Sequence, residues 1–248
     1  MKNSLKTAEK ICDVLDAFSL KKSEWGVTDL SNHLDLSKSV VHRIASTLEN
    51  KNYLYQDPKS KKYSLGNKII ELGSIAKNSI DLVKVSLKEL NFLFNITEET
   101  VLLDVPKNND NKSICLNKIE SSKNIKYTCE IGKPVPIYAG ALGKTILAHM
   151  SKEKINQIID MGLKKHTNKT VTNPKVLKKQ LKKIKKNGYA ISCGEWNPGG
   201  MAIAAPLFSQ NKILGSIGIL GPEFRMKNKT DQYIEYCVEA AFRITKNL

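Results

Sequence analysis

The sequence predicts an α+β protein of two domains: a small helical domain that ends in a β-hairpin, and a larger domain of sheet and helices. Three observations lead to this prediction. Apolar residues recur at helical spacing in three short segments before residue 50. Two strand-like segments flank a turn between residues 53 and 65. From residue 100 onward, strand-like and helical segments alternate, and 248 residues suffice for two modest cores.

Composition places the chain among cytoplasmic globular proteins. Hydrophobic residues make up 41% and charged residues 26%. No apolar run approaches the ~18 residues of a membrane span, and the N-terminus lacks the apolar core of a signal peptide. The five cysteines are scattered without a C-x-x-C pair. We therefore expect free thiols in a reducing compartment, with neither disulfides nor a zinc site.

The net charge of +16 is informative only where it is local. Only three of the 40 basic residues are arginine, and such lysine enrichment can reflect an AT-rich genome. Residues 1–66 carry 11 basic and 8 acidic residues, so most of the excess lies in the second half. Residues 37–62, however, hold six basic and two acidic residues. This local excess lies where a phosphate backbone would run.

The first two helices are predicted over residues 5–20 and from Thr28 to Leu34. Thr28 is a suitable cap for the second helix, and Asp29 in its first turn suits the helix dipole. Asp35 and Leu36 form the tight turn into a third helix. Three helices at this spacing indicate a helix-turn-helix; a small helical bundle without nucleic acid is the alternative.

Residues 36–65 read LSKSVVHRIASTLENKNYLYQDPKSKKYSL and predict the third helix and a hairpin. Ser37 is a natural N-cap, and the apolar face of the helix comprises Val41, Ile44, Ala45 and Leu48. Residues 50–52 end the helix, and strands at 53–56 and 62–65 flank a turn at 57–60. This is the pattern of a winged helix-turn-helix, with the helix in the major groove and the hairpin along the phosphates. The predicted DNA-binding residues are Thr28, Lys38, Ser39, Val40, His42, Arg43, Lys59, Lys61 and Lys62.

Arg43 is the strongest candidate for a base contact. Its planar guanidinium suits a guanine edge or a clamped phosphate. The alternative is a buried Arg43 that pairs with a carboxylate such as Glu49 or Asp57.

A linker helix is predicted over residues 66–80, followed by another helix over 81–94. Apolar residues at 69, 70, 72 and 75 would be poorly covered in a monomer, which predicts a dimer contact. The helical connection is stiff enough to pass movement between the domains.

The second half predicts a central, largely antiparallel sheet with helices packed against it. The predicted strands are residues 100–105, 113–119, 126–130, 189–193, 201–208 and 213–220, and the predicted helices are 138–150, 151–161, 174–187 and 229–248. Lysines crowd one face of residues 175–186, which favours a solvated surface over a second DNA site.

No catalytic constellation is present in the sequence. The four histidines are dispersed, and there is no H-E-x-x-H or G-x-S-x-G motif. The segment from Gly140 to Thr145 lacks the first glycine of a phosphate loop. Cys193 is better interpreted as a structural cysteine than as a reactive thiol. We predict no enzyme, no cofactor and no metal; an enzyme or thiol-based redox regulator that uses Cys193 is the alternative.

Several motifs together resemble the IclR family of bacterial transcription regulators. The first is VVHRIASTLENKNYLYQDPKSKKYSLG, and further motifs are GKPVPIYAGALGKTILA at 132–148, NGYAISCGEWNPGGMAIAAPLF at 187–208 and ILGSIGILGP at 213–222. They cover nearly the whole chain in the right order. One departure is that Ser37-Lys38-Ser39-Val40 stands where the family usually has Pro-Lys-Ser-Thr. The resemblance implies a GAF-like C-terminal domain with a ligand between sheet and loops.

An effector site is expected at the helix that begins near Ala141 and Leu142, whose free backbone N–H groups can hold a carboxylate. The resemblance points to the same turn and to further residues: Ser192, Gly200, Ala202, Ser216, Gly218 and Leu220. Residues 216, 218 and 220 share one strand face, and Gly218 would leave room for a ligand; close strand–helix packing is the alternative. We expect few polar side chains and no arginine there, which favours a small, partly apolar organic acid.

The sequence therefore predicts a DNA-binding domain at residues 1–66, a linker helix at 67–80 and an effector-binding domain at 81–248. The predicted function is a repressor that binds a double-stranded DNA operator as a homodimer or dimer of dimers and responds to a small organic acid. A structural or RNA-associated basic protein is a further alternative, which would bind without sequence preference.

Overall fold

The computed structural model describes residues 5–19, 21–79, 81–107 and 111–248. The chain forms two compact units, Met1–Ser79 and Ile80–Leu248. Each unit has its own hydrophobic core. The architecture is α+β, as the sequence predicts.

The first unit is a helix-turn-helix with a small hairpin and one further helix. Its elements are α1 (Lys6–Asp16), α2 (Val27–Leu34), α3 (Lys38–Asn50), β1 (Leu54–Gln56), β2 (Tyr63–Leu65) and α4 (Asn67–Ser79). The two strands pair antiparallel. Trp25 extends this small sheet beside β2, because its N–H donates to the Tyr63 carbonyl and its carbonyl accepts from the Tyr63 N–H. Val14, Leu30 and Val41 are fully buried in the core beneath the helices.

Two predictions for the first helices are wrong in detail. Helix α1 ends at Asp16 instead of continuing toward residue 20, because the chain turns back on itself there: the backbones of Ser19 and Lys22 exchange two hydrogen bonds of 3.0 Å. Residue 20 itself lies outside the described residues. Thr28 does not cap α2, since the helix already begins at Val27 and Gly26 precedes it without a side-chain cap.

Gly66 fixes the start of α4 on the hairpin. Its N–H donates to the Tyr53 carbonyl at 2.8 Å, and the Lys68 N–H donates to the Asn52 carbonyl at 3.1 Å. A Cβ atom at Gly66 would lie 2.3 Å from the Asn52 carbonyl oxygen, so only glycine fits this close approach of two backbone segments.

The second unit is a six-stranded antiparallel sheet with helices on both faces. Its elements are α5 (Asp81–Thr97), β3 (Thr100–Pro106), β4 (Lys112–Ile119), β5 (Pro134–Pro136), α6 (Ala141–Leu147), α7 (Lys152–Asp160), α8 (Pro174–Asn187), β6 (Ala190–Cys193), β7 (Gly200–Ser209), β8 (Lys212–Pro222), α9 (Glu223–Met226), a 3₁₀ turn (Lys227–Lys229) and α10 (Thr230–Lys246). The strand order is β5-β4-β3-β8-β7-β6.

Successive side chains along a strand point into two different cores, one on each face of the sheet. Odd-numbered residues such as Leu103, Ile203 and Ile217 pack with apolar residues of α5 and α10. Even-numbered residues such as Leu102 and Ala202 pack with α6 and α8. This alternation follows from the two-residue period of a strand.

Two predictions for the second unit are wrong: the position of one edge strand and the start of one helix. Residues 126–130 are not a strand; the Lys118 ammonium holds them by donating to Thr128 Oγ1 and the Cys129 carbonyl at 2.8 and 2.7 Å. The edge of β4 pairs instead with the proline-rich β5. The helix predicted from residue 138 begins only at Ala141, because Gly140 adopts φ 88° before it.

None of the helices in the described part of the chain has the length and apolar character needed to cross a membrane.

Candidate DNA interface and ligand pocket

The exposed face of α3 carries four of the nine predicted DNA-binding side chains. Lys38, Ser39, His42 and Arg43 are all exposed, whereas Val41, Ile44, Ala45 and Leu48 are buried beneath them. Ser37 caps the helix as predicted, with its hydroxyl accepting from the Val40 N–H at 3.4 Å. The helix therefore presents a basic, hydrogen-bonding surface at its N-terminal half.

Val40 differs from the other predicted contacts on this helix. Its side chain is half-buried and packs against the core. This β-branched side chain turns toward α1, where it lines a groove with Ile11 and Arg43, so its predicted contact with DNA stays a prediction. Thr28 is exposed in the first turn of α2, so its predicted contact with DNA stays a prediction.

A buried serine sets the turn between α2 and α3. The Ser31 hydroxyl donates to the Leu36 carbonyl at 2.6 Å, and the Leu36 N–H donates to the Ser31 carbonyl at 3.1 Å. Asp35 between them takes a left-handed conformation with φ 51°. These two bonds fix the direction in which α3 leaves the turn.

Arg43 is exposed and forms no ion pair with any described residue. The alternative of a buried Arg43 paired with Glu49 or Asp57 is therefore excluded. Its backbone carbonyl accepts from Thr47 Oγ1 at 2.7 Å, and its guanidinium donates no hydrogen bond to a described residue. The side chain has its donors available for a base or a phosphate.

The hairpin tip holds three exposed lysines on a rigid turn. Asp57 Oδ1 accepts from the N–H groups of Lys59 and Ser60 at 3.1 and 2.6 Å, and the bond from Ser60 is the main reason that the pKa of Asp57 is lowered. Lys61 adopts φ 59°, which closes the turn. Lys59, Lys61 and Lys62 thus extend into solvent from a fixed loop.

An uncovered apolar surface runs from the hairpin to α4. Tyr55, Leu65 and Ile70 line one groove and are 55%, 45% and 73% exposed. Ile75, five residues further along α4, is 56% exposed. Soluble monomers seldom expose several large apolar side chains in one groove, as Tyr55, Leu65 and Ile70 are here.

The second unit contains a cavity of about 80 Å³ between the sheet and the N-terminus of α6. Six of the eight predicted effector residues line it: Ala141, Leu142, Ser192, Gly200, Ala202 and Leu220. They come from α6 and from strands β6, β7 and β8. The even face of the sheet and the turn at Gly140 therefore meet at one site.

The other two predicted effector residues, Ser216 and Gly218, lie outside the cavity. The Ser216 hydroxyl is buried and donates to the Leu142 carbonyl at 3.1 Å. A Cβ at Gly218 would lie 2.7 Å from the Ile203 carbonyl oxygen and 3.1 Å from Leu142 Cγ. The expected space for a ligand at Gly218 is wrong, because strand and helix already fill it.

The pocket is more polar than the sequence suggests. Asp104 and Glu195 line it, and their side chains lie among buried surroundings. Burial raises the pKa of Asp104 to about 7, and a hydrogen bond from Ser113 partly offsets this shift. Lys144, from the segment that resembles a phosphate loop, is buried and donates to Glu195 Oε1 at 2.5 Å and Gln180 Oε1 at 3.1 Å.

The cysteines divide between the two sides of the sheet. Cys115 and Cys129 both line the pocket, and a hydrogen bond between their thiols is the main reason that the pKa of Cys115 is raised. Cys193 instead packs in the core on the α10 side, and burial raises the pKa of its thiol. A protonated, half-buried Cys193 does not favour the redox alternative. Within the described residues no group of three potential ligands is placed to hold a metal ion.

Sequence comparison finds two matching family models. The IclR helix-turn-helix domain matches residues 7–58, and the C-terminal domain of the bacterial transcriptional regulator IclR matches residues 75–246. The HTH-type transcriptional regulator KdgR of Escherichia coli (strain K12) is 28% identical over 249 residues, which cover 99% of this chain and 94% of KdgR.

Structural comparison gives the same fold. An IclR transcriptional regulator from Alicyclobacillus acidocaldarius superimposes with a TM-score of 0.89 at 25% identity, covering 98% of both chains. An IclR homologue from Microbacterium hydrocarbonoxydans, crystallised with 4-hydroxybenzoate, superimposes with a TM-score of 0.86 at 22% identity, covering 98% of this chain and 99% of the homologue.

Proposed function

The chain belongs to the IclR family of DNA-binding transcription regulators, which are not enzymes, and from this premise we propose a homodimeric repressor whose operator affinity changes when a small organic acid binds. The observation that carries the ligand response is the cavity beside α6 in the second unit. A regulator that needed no ligand would gain nothing from an internal cavity, since cavities reduce the stability of a fold.

The DNA contacts that we propose lie on α3 and the hairpin. Lys38, Ser39, His42 and Arg43 supply donors for base edges and phosphates. Val40 sits at the edge of this surface and Thr28 at its α2 side. Lys59, Lys61 and Lys62 supply charge along the backbone, and phosphate contacts position the protein without reading sequence.

A two-fold dimer through α4 and the hairpin accounts for the uncovered apolar surface. It buries Tyr55, Leu65, Ile70 and Ile75 and pairs two α3 helices for two half-sites. Ile70→Glu should yield monomers in sedimentation velocity at micromolar concentration, whereas the control Asn32→Glu, an exposed residue of α2 that does not line this groove, should stay dimeric. A monomeric wild-type protein would contradict this arrangement; a footprint of two abutting dimers would indicate a dimer of dimers.

The acid is proposed to rest with its carboxylate on the backbone N–H groups at Ala141 and Leu142. Ser192, Gly200, Ala202 and Leu220 form the surrounding walls. The homologue crystallised with 4-hydroxybenzoate supports a carboxylate ligand. The ligand changes DNA affinity only to the extent that it prefers one dimer arrangement, typically by about 1–3 kcal/mol.

The test is a fluorescence-anisotropy titration of DNA from upstream of the protein's own gene, with and without candidate carboxylates. Ala202→Leu fills the pocket from β7 and should keep operator binding while losing the response. Ser209→Leu, at the far end of the same strand, is the control and should respond like the wild type. A full response in Ala202→Leu would place the ligand elsewhere.

A further inference from the structure

Two buried carboxylates in the pocket each retain an oxygen without a hydrogen-bond partner among the described residues. These are Asp104 Oδ1 and Glu195 Oε2. The two residues are only 8% and 7% exposed, and both line the cavity. Nearly all buried polar atoms in folded proteins have partners, so each exception calls for an explanation.

The other oxygen of each carboxylate is held by the protein. Ser113 Oγ donates to Asp104 Oδ2 at 3.4 Å, and Lys144 Nζ donates to Glu195 Oε1 at 2.5 Å. These contacts fix both side chains in place. An unmade hydrogen bond of a buried charged group is costly, and the cost is removed when a ligand in the cavity brings its own donors.

We propose that Asp104 and Glu195 are specificity-determining residues that select a small hydroxylated carboxylic acid, whose hydroxyl groups donate to the two free oxygens. This inference rests on the proposed effector site and names the chemical class of its ligand. The carboxylate of the acid stays at the Ala141 turn, and the hydroxyl-bearing end faces β3 and the loop at Glu195.

Hydroxyl groups fit these oxygens better than an ammonium group. Lys144 already neutralises Glu195, so the free oxygen of Glu195 needs a hydrogen and no additional positive charge. Asp104 has a different reason to favour a neutral partner: burial raises its pKa to about 7, so part of its charge is already lost near neutral pH, and a buried ammonium would lose its hydration. An apolar acid would leave both oxygens unpaired.

The experiment measures the affinity of the full-length protein by calorimetry for matched pairs of acids. Each pair has the same carbon count: glycerate with propionate, threonate with butyrate, and gluconate with hexanoate. We expect at least one hydroxylated acid to bind about tenfold or more tightly than its partner, the size expected when a buried acceptor gains a donor. 6-Aminohexanoate tests the ammonium alternative and should bind no better than hexanoate.

Asp104→Leu identifies the residue that provides this preference. Leucine has the same number of side-chain heavy atoms and the same branching as aspartate but no acceptor, so the variant should lose the preference and bind the unsubstituted acid at least as well as the wild type. Asp160→Leu, at the exposed end of α7, is the matched control and should keep the preference. Thermal unfolding of each variant shows whether it is folded, and a purely structural role for Asp104 would weaken both members of a pair equally.

The outcomes separate this inference from the proposed function. Equal binding of both members of every pair, or tighter binding of 6-aminohexanoate, would overturn the selection of hydroxyls but leave a carboxylate site in place. Failure of every hydroxylated acid to bind at millimolar concentration would also overturn the inference. Operator binding and its response to other carboxylates would then decide the proposed function separately.

Discussion

The proposed DNA-reading face and the proposed ligand pocket place their charges in opposite environments. On α3 and the hairpin, Arg43 and the lysines of the tip are exposed and make few contacts with the rest of the protein. Asp104 and Glu195 line the pocket and are buried, and the buried Lys144 pairs with Glu195. Exposed charges act on a partner and contribute little to stability, whereas buried charges couple ligand binding to the stability of the fold. The two regions should therefore respond differently to equivalent substitutions.

The largest effect is expected for Lys144→Met, which leaves Glu195 buried without its cation. Breaking one side of a buried ion pair costs about 3–5 kcal/mol in the free energy of unfolding. Lys175→Met, on the exposed face of α8, should change it by less than about 0.5 kcal/mol. Urea unfolding of both variants measures the difference, and equal stabilities would remove the proposed contrast between the regions.

Arg43→Ala should have the opposite effect to Lys144→Met: it should weaken DNA binding without destabilising the fold. Loss of one guanidinium contact costs about 1–3 kcal/mol of operator affinity, and an exposed side chain contributes little to the core. Anisotropy titration at fixed salt measures the affinity, and thermal unfolding measures the stability. Asn50→Ala, at the other end of α3, is the control. A variant with unchanged operator affinity would show that α3 reads DNA without Arg43.

Asp104 should make stability depend on pH. In the unfolded chain this carboxyl loses its proton near its ordinary pKa of 3.8, but burial raises the pKa in the fold to about 7. Between these values the folded state binds more protons, so stability falls as pH rises, by up to about 1.4 kcal/mol per pH unit. Asp104→Asn should lack this contribution. Parallel stability curves for the two proteins from pH 4 to 8 would contradict the assignment.

The smallest effect is expected for Lys61→Ala or Lys62→Ala. Each change removes one phosphate contact, so the slope of log affinity against log salt should shrink by about one unit. Specific and non-specific DNA should be affected alike, because phosphates carry no sequence information. Titration at several salt concentrations with operator and random DNA tests this. A loss confined to the operator would indicate that the hairpin contacts bases.

The same contrast explains how much the sequence could predict. The α3 helix, its cap at Ser37 and the hairpin turn depend on local patterns of apolar and turn residues, and the structure confirms them. The exposure of Arg43 follows from helical periodicity alone. A predicted helix boundary is wrong where a local backbone conformation interrupts the apolar pattern. At Gly140 the positive φ of 88° delays the start of α6 to Ala141.

The pocket was only partly predictable, because its residues come together from distant strands. Strand alternation correctly placed residues 216, 218 and 220 on one face, but it did not show that Leu142 packs against Gly218. Asp104 and Glu195 were missed since each is a single acidic residue in its segment, and nothing local marks it as buried. Cys115 and Cys129 likewise approach each other only through the path of residues 126–130. Sheet register, which depends on long-range pairing, determines all of these contacts.

The glycine junction at residue 66 has a mechanical consequence. Since the backbone of Asn52 leaves no room for a side chain at Gly66, the hairpin and α4 cannot swivel freely about this point. The 13-residue α4 is about 20 Å long and acts as a lever arm with the hairpin attached to one end. A tilt of about 6° about the Ser79 end would displace the hairpin by about 2 Å, more than half of the roughly 3.4 Å rise of one base pair. A small angular change at one end of this arm is therefore enough to move the hairpin lysines away from the phosphates that we propose they contact.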